Sequence, residues 1–220
     1  MLIFVRTPAL LIGSLLLCLA ANVHAAAGTP PLRLAPCEEQ YEFSDVMDYL
    51  DPQFRTRISG IEHNHLNSDV EQLIKGQSTA SPGGDLRFIL GYIPNHHRAL
   101  SALMRLSLRD RTEMPAESGP LTVRCWLDRA TVFSPQDGTS FMLYGIYLAR
   151  NRLDAEAAKQ LEKAAQLMPD NVDVSYNLGL IYLELKDYDK AVAQAKLAYA
   201  AGYPLPGLKQ KLAAAGRPLN

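Results

Sequence analysis

The sequence has no large excess of charge of either sign. It contains 22 Lys and Arg and 23 Asp and Glu, which gives a net charge of −1 at pH 7 with histidine neutral. General nucleic-acid binding depends on a strongly basic surface. We therefore predict that the protein does not bind nucleic acid.

The common sequence motifs of several enzyme classes are also missing. The chain has no glycine-rich phosphate-binding loop followed by lysine, no Gly-x-Ser-x-Gly, no His-Glu-x-x-His and no Cys-x-x-Cys. We predict no catalytic residue and no cofactor. The sequence thus favours a binding protein over an enzyme, without excluding an enzyme.

Long hydrophobic runs are limited to the N terminus. Residues 1–25 contain Arg6, then the apolar residues 9–21, and end in small residues. This pattern predicts a secretory signal peptide that is cleaved after Ala25, with Ala27 as the alternative. We expect an exported protein with no transmembrane segment after cleavage.

Cysteine is scarce. Of the three cysteines, Cys18 lies in the expected signal peptide, which leaves Cys37 and Cys125. An even pair in an exported protein is usually bonded, so we predict a disulfide between them. Closing so long a loop would stabilise the fold by roughly 4 to 5 kcal/mol in the chain-entropy model. The alternative is two buried thiols.

A repeat of 34 residues is present in the C-terminal half. Gly145 and Gly179 are separated by this spacing, and so are Ala157 and Ala191. Glycine inside a helix costs about 1 kcal/mol relative to alanine, so these positions indicate that a neighbouring helix approaches closely. Pro169 ends the first unit because proline cannot continue a helix.

The spacing and the small residues resemble the tetratricopeptide repeat, a helix-turn-helix unit that stacks into a solenoid. The resemblance implies an all-α, TPR-like solenoid with a divergent N-terminal segment and a C-terminal capping helix. We expect six segments: a signal peptide (1–25), an N-terminal segment (26–66), divergent helical repeats (67–135), two repeats (136–169 and 170–203) and a cap (204–220).

The divergent region is expected to contain one clear helix pair and one uncertain pair. Asn95 should act as the N-cap of a helix over residues 95–109, and a second helix should end at Pro135. The earlier pair would use residues 68–76 and 84–94. Before that, the sequence indicates only a helical turn near residues 45–50.

Nearly the whole chain after the signal peptide is also similar to a group of small exported proteins of Gram-negative bacteria. The similarity is carried by Cys37, by the Pro-Asn-His-His-Arg-Ala-Leu stretch at residues 94–100 and by the C-terminal repeat pair. It implies a periplasmic location and the same fold, and it implies no chemistry.

In tetratricopeptide arrays the first helix of each pair lines the concave face, so the resemblance implies an adaptor or scaffold with a peptide-binding groove. Basic and apolar groove positions together suit a protein or peptide segment with apolar anchors and an acidic or carboxylate end. For the arginines the alternative is an ordinary solvated helix face. For the apolar positions the alternative is a face that is covered by the N-terminal segment or the capping helix. The predicted groove residues are Arg98, Arg105, Arg109, Met142, Ile146, Arg150, Tyr176, Asn177 and Leu180.

Two histidine pairs, His63 with His65 and His96 with His97, give an alternative function. Histidine commonly binds zinc or copper, so they suggest a small periplasmic metal-binding protein or hydrolase. Residues two apart on a helix diverge by about 200°, so His63 and His65 would share a metal only in an extended segment. Structural or surface histidines are the simpler interpretation, and an acid-base role is a third.

Overall fold

The computed structural model describes residues 32–37 and 41–219, which belong to the unit Pro31–Asn220. The predicted signal peptide lies outside the described residues. Within them the regular structure is entirely helical, as predicted, and a short 3-10 helix at Pro52–Phe54 precedes the α-helices. The α-helices are α1 (Arg55–His65), α2 (Ser68–Glu71), α3 (Pro82–Tyr92), α4 (His97–Asp110), α5 (Val123–Phe133), α6 (Gly138–Arg150), α7 (Asp154–Leu167), α8 (Val172–Glu184), α9 (Tyr188–Ala200) and α10 (Gly207–Ala214).

Helices α6 with α7 and α8 with α9 form two closely packed pairs, joined by turns of matching geometry. Arg152 and Lys186 occupy equivalent places in these turns, with φ of 65° and 61°. Left-handed residues commonly end helices in this way. The two turns are 34 residues apart, so the backbone repeats with the period of the sequence.

The glycines of the repeat lie where helices meet. A Cβ atom added at Gly145 would be 2.7 Å from Cγ of Leu161, and 3.2 Å from the carbonyl oxygen of Ala157. A Cβ atom added at Gly179 would be 2.6 Å from Cδ2 of Leu208 on α10. Neighbouring helices therefore approach as closely as the glycine positions indicate.

The start of α4 differs from the prediction. His96, not Asn95, is the N-cap residue, and its Nδ1 atom accepts a hydrogen bond of 3.2 Å from the backbone N–H of Ala99. Asn95 is fully buried, and its side chain accepts from the backbone N–H of Tyr49 and donates to Asp48. The prediction was wrong because contacts from distant residues, which the local sequence does not reveal, take the Asn95 amide away from the helix end.

Residues 32–37 and 41–50, here called the N-terminal strap, contain no helix. The strap contacts α5 through Cys37, Tyr41 and Phe43, and the backbone N–H groups of Met47 and Tyr49 then bond to Tyr92 and Asn95. The predicted disulfide between Cys37 and Cys125 is present and joins the strap to α5. Further contacts fix the strap on both sides of this bond: Leu32 N–H to Asn151, Tyr41 hydroxyl to Asp128, and Phe43 against Phe133.

The region before α4 contains one helix that the sequence did not indicate, α1, and two that it indicated loosely, α2 and α3. The loop between α2 and α3 is held by the buried carboxylate of Asp85. This carboxylate accepts hydrogen bonds from the backbone N–H groups of Gln77 and Ser78 and from the hydroxyl of Thr79. Although burial alone would raise the pKa of Asp85, the hydrogen bonds from His65 and these groups lower it.

The last helix, α10, covers the open end of the solenoid, which confirms the predicted capping helix. Leu208 and Leu212 are fully buried against the preceding pair, while the rest of α10 is mostly exposed. Within the described residues, none of the helices is both long and apolar enough to cross a membrane.

Candidate peptide-binding groove

A groove of about 460 Å³ lies between α6, α8 and α10. Its floor is formed by apolar side chains that are partly or fully buried, chiefly Ile146, Leu161 and Leu180. Because these side chains come from the first helices of successive pairs and from the packed face of α7, the repeat spacing places them side by side. The groove can therefore accommodate apolar groups of a ligand.

Charged side chains surround this apolar floor. Some of them form ion pairs with one another, and others do not. Glu184 lies 2.8 Å from Lys211 and 3.8 Å from Arg152, so one carboxylate faces two cations. The pKa of Asp154 is raised by burial and by the charge of Glu184, against the effect of Arg152. Arg150 has no hydrogen-bond or ion-pair partner among the described residues and remains available for an anion.

Tyr176 and Asn177 form the part of the groove nearest the cap. The ring of Tyr176 is buried and stacks on Tyr203 with 4.0 Å between ring centroids. The hydroxyl of Tyr176 also lies close to the cap, because a Cβ atom added at Gly207 would be 2.8 Å from the hydroxyl oxygen. The amide of Asn177 donates to the carbonyl of Asp173 on its own helix, which leaves the amide oxygen as an acceptor.

The structure brings five of the predicted groove residues into this one cavity: Ile146, Arg150, Tyr176, Asn177 and Leu180. Met142 packs against the hydrophobic core instead of lining it. Sequence reasoning missed Arg152, in the turn after α6, and Lys211 of the cap. Lys211 lies 34 residues after Asn177, so the repeat spacing could have identified it.

The three predicted arginines of α4 face the short helix α2. The guanidinium of Arg98 donates two hydrogen bonds to Glu71, of 2.9 Å and 2.8 Å, and a third of 3.3 Å to Glu62. The hydrogen bond from Arg98 is the main reason that the pKa of Glu71 is lowered. Arg98 therefore already has two carboxylate partners within the chain.

Arg105 and Arg109 also contact the residues that follow α1. Arg105 donates to the carbonyl oxygen of Glu71 at 2.8 Å, and Arg109 donates to that of Leu73 at 2.6 Å. Arg109 also pairs with Asp110. The basic face of α4 is thus covered in part by the N-terminal region, and its role in binding a partner stays a prediction.

The histidine pairs do not form a common cluster. His63 and His65 lie on α1, so their side chains diverge, and His65 bonds to Asp85 at 2.7 Å. His97 bonds separately to Asp137 at 2.7 Å. In the described part of the chain, no group of three His, Cys, Asp or Glu side chains could hold a metal ion. The geometry gives the metal-site alternative no support.

His96 is unsuited to acid-base chemistry. Because its Nδ1 atom accepts from the Ala99 N–H, the ring hydrogen is on Nε2, which donates to Glu62 at 3.0 Å. Burial, assisted by the nearby charge of Arg98, lowers the pKa of His96 to about 3. The ring therefore stays neutral, and both its nitrogens are occupied.

The sequence signature of the tetratricopeptide repeat family matches residues 147–199, which run from α6 into α9. Residues 147–199 therefore carry tetratricopeptide repeats. The matched repeats include the α8 side of the groove, with Tyr176, Asn177 and Leu180.

Solved structures also resemble the repeat protein. A crystal structure of MamA has a TM-score of 0.50 and 17% identity, over 76% of this chain and 84% of that chain. A second MamA structure has a TM-score of 0.48 and 15% identity, over 74% and 75% of the two chains. PilF from Pseudomonas aeruginosa has a TM-score of 0.49 and 20% identity, over 74% and 65%. The first likeness supports the fold alone. No curated protein sequence matches the chain significantly.

Proposed function

We propose that the protein is a periplasmic adaptor or scaffold that binds a segment of another protein in the groove between α6, α8 and α10. The observation that carries this proposal is the unpaired Arg150 beside the apolar floor of Ile146 and Leu180. Helical repeats provide such concave surfaces without a cofactor, since binding uses preformed helices.

The ligand that fits this groove has apolar side chains near an acidic side chain or a C-terminal carboxylate. The apolar side chains would pack on Ile146 and Leu180, which removes their surface from water. A carboxylate would accept charge-assisted hydrogen bonds from Arg150, and the Asn177 oxygen would accept from a backbone N–H of the ligand.

Two features support the periplasmic part of the proposal. Residues 1–25 have the pattern of a secretory signal peptide. The disulfide between Cys37 and Cys125 is of the kind that persists in oxidising compartments, of which the bacterial periplasm is one. Fractionation of cells that produce the protein tests this location directly.

The decisive experiment is crosslinking and affinity purification of the protein from its own periplasm, together with two groove variants. We expect one recurrent protein partner, which is lost with Arg150→Glu and with Leu180→Ala. Lys196→Glu is the matched control, because Lys196 is exposed on α9 outside the groove. Recovery of the same partner with all three variants would exclude the groove as its binding site.

Arg105→Glu tests the separate expectation that the arginines of α4 contribute to binding. Loss of the partner with this variant, when helix content is unchanged, would extend the binding surface to α4. Unchanged affinity would limit the surface to α6, α8 and α10. Elemental analysis of the same purified sample measures bound metal and so tests the histidine alternative independently.

A further inference from the structure

A second groove, of about 420 Å³, lies between α1 and α3 in the N-terminal region. Three rings form a row along it: His65 stacks on Phe88 with centroids 4.0 Å apart, and Phe88 lies 5.1 Å from Tyr92. Phe88 is 39% exposed and Tyr92 is 43% exposed. Large aromatic side chains that remain in water along a groove provide anchoring surface for a partner.

The backbone of α1 is also accessible in this groove. Gly60, in the middle of α1, lines the groove, and a Cβ atom added there would have no other atom within 4 Å. Glycine at this position costs about 1 kcal/mol of helix stability relative to alanine. Close packing between helices explains why residue 145 is glycine, but within the described residues no helix packs on Gly60. The backbone of α1 at Gly60 is therefore accessible to a polypeptide segment of another protein.

The charge of the groove is positive. Arg57 lines it and is exposed on α1. Among the described residues Arg57 has no ion-pair or hydrogen-bond partner. The nearby carboxylate of Asp85 is fully buried behind His65, and no carboxylate lines the groove.

We propose that the groove between α1 and α3 binds an acidic polypeptide segment of a partner protein that carries an aromatic or aliphatic side chain. The apolar side chain packs against Phe88 and Tyr92, and an acidic group pairs with Arg57. This site is separate from the concave groove, so one repeat protein presents two binding surfaces to its partners.

Selection from a displayed library of random short peptides tests this proposal. The full chain serves as bait, and peptides that also bind the Phe88→Ala variant are removed. We expect the surviving peptides to combine acidic residues with one aromatic or aliphatic residue. Because the selection already requires that binding depend on Phe88, the independent test is Arg57→Glu, which should lower the affinity measured by fluorescence anisotropy about tenfold or more.

Matched controls are Leu197→Ala and Lys196→Glu, which change an exposed apolar residue and an exposed cation on α9. Both should leave the affinity unchanged, and circular dichroism should show equal helix content for all variants. Survival of no peptide, or of peptides without acidic residues, would overturn the proposal, as would unchanged affinity with Arg57→Glu. Self-association in sedimentation that is lost with Phe88→Ala would assign the groove to a second copy and would also overturn it.

Discussion

The imidazole of His97 lies 2.7 Å from the carboxylate of Asp137 and so connects the start of α4 to the start of α6. Asp137 is 2% exposed, accepts hydrogen bonds from the backbone N–H groups of Thr139 and Ser140 as N-cap of α6, and lies 3.2 Å from Asn95. Burial alone would raise its pKa, but the hydrogen bonds from His97, Ser140 and Asn95 lower it. One carboxylate therefore joins two successive repeat units.

We expect Asp137→Ala to lower the free energy of unfolding by about 2 to 4 kcal/mol, because it removes a helix cap and leaves buried donors unpaired. Urea denaturation measures this loss. Asp187→Ala is the matched control, since Asp187 caps α9 through one backbone hydrogen bond at a half-buried site. It should cost only about 0.5 to 1 kcal/mol. Equal losses for both variants would show that the buried network adds nothing to the cap.

His96 should make the stability of the protein depend on pH. Its pKa is about 3 in the folded protein and 6.5 in the reference state, so below pH 6.5 the unfolded chain takes up a proton that the folded chain does not. The contribution of His96 to stability should therefore be present above this pH and fall as the pH is lowered through 6.5, with a slope that approaches about 1.4 kcal/mol per pH unit.

Urea unfolding at several pH values between about 5 and 6.5 measures the slope due to His96. We expect His96→Asn to reduce the slope, because asparagine retains the capacity to cap α4 without titrating. His63→Asn makes the same change at an exposed position on α1 and should leave the slope nearly as it is. A slope that survives in the His96 variant would assign the pH dependence to other groups.

Two glycine substitutions should have opposite effects on stability. Gly145→Ala places a methyl group against Leu161 and the Ala157 carbonyl, so we expect a loss of about 1 to 3 kcal/mol from overpacking. Gly60→Ala meets no neighbouring atom and should gain about 0.5 to 1 kcal/mol from helix propensity. Thermal unfolding of both variants checks the signs, and a stabilised Gly145→Ala would contradict the close packing of α6 on α7.

Removal of the disulfide should loosen the N-terminal strap before the repeats. The bond closes a separation of 88 residues, so in the chain-entropy model the variant Cys37→Ser with Cys125→Ala loses roughly 4 to 5 kcal/mol. Hydrogen exchange should rise first in the strap and last in α8 and α9. A uniform rise along the chain would show instead that strap and repeats unfold as one unit.

The C-terminal half could be predicted from the sequence because its information is local and periodic. The spacing of Gly145 and Gly179 gave the helix pairs, and the resemblance then placed Ile146, Arg150 and Leu180 on one surface. The structure brings these three together in a single groove. Lys211 would have joined them if the same spacing had been extended into the cap.

The N-terminal half could not be predicted to the same degree because long-range contacts determine it. Helix α1 is largely polar, and Ile58 is its one buried residue, so it carries little periodic signal. Asn95 has the residue type of a helix cap, but contacts from Asp48 and Tyr49 fix its amide elsewhere. The sequence does not reveal that Arg98 of α4 is paired, because Glu71 comes to lie beside it only in the folded chain.

The contacts of the N-terminal strap also affect the order in which the parts of the chain can assemble. Asn151 follows its partner Leu32 by 119 residues, and Asp128 follows Tyr41 by 87. The strap comes first in the chain, yet the surface that it covers is formed by residues far behind it, whereas each repeat pair closes through local contacts. The first segment of the described chain is therefore expected to be among the last to dock.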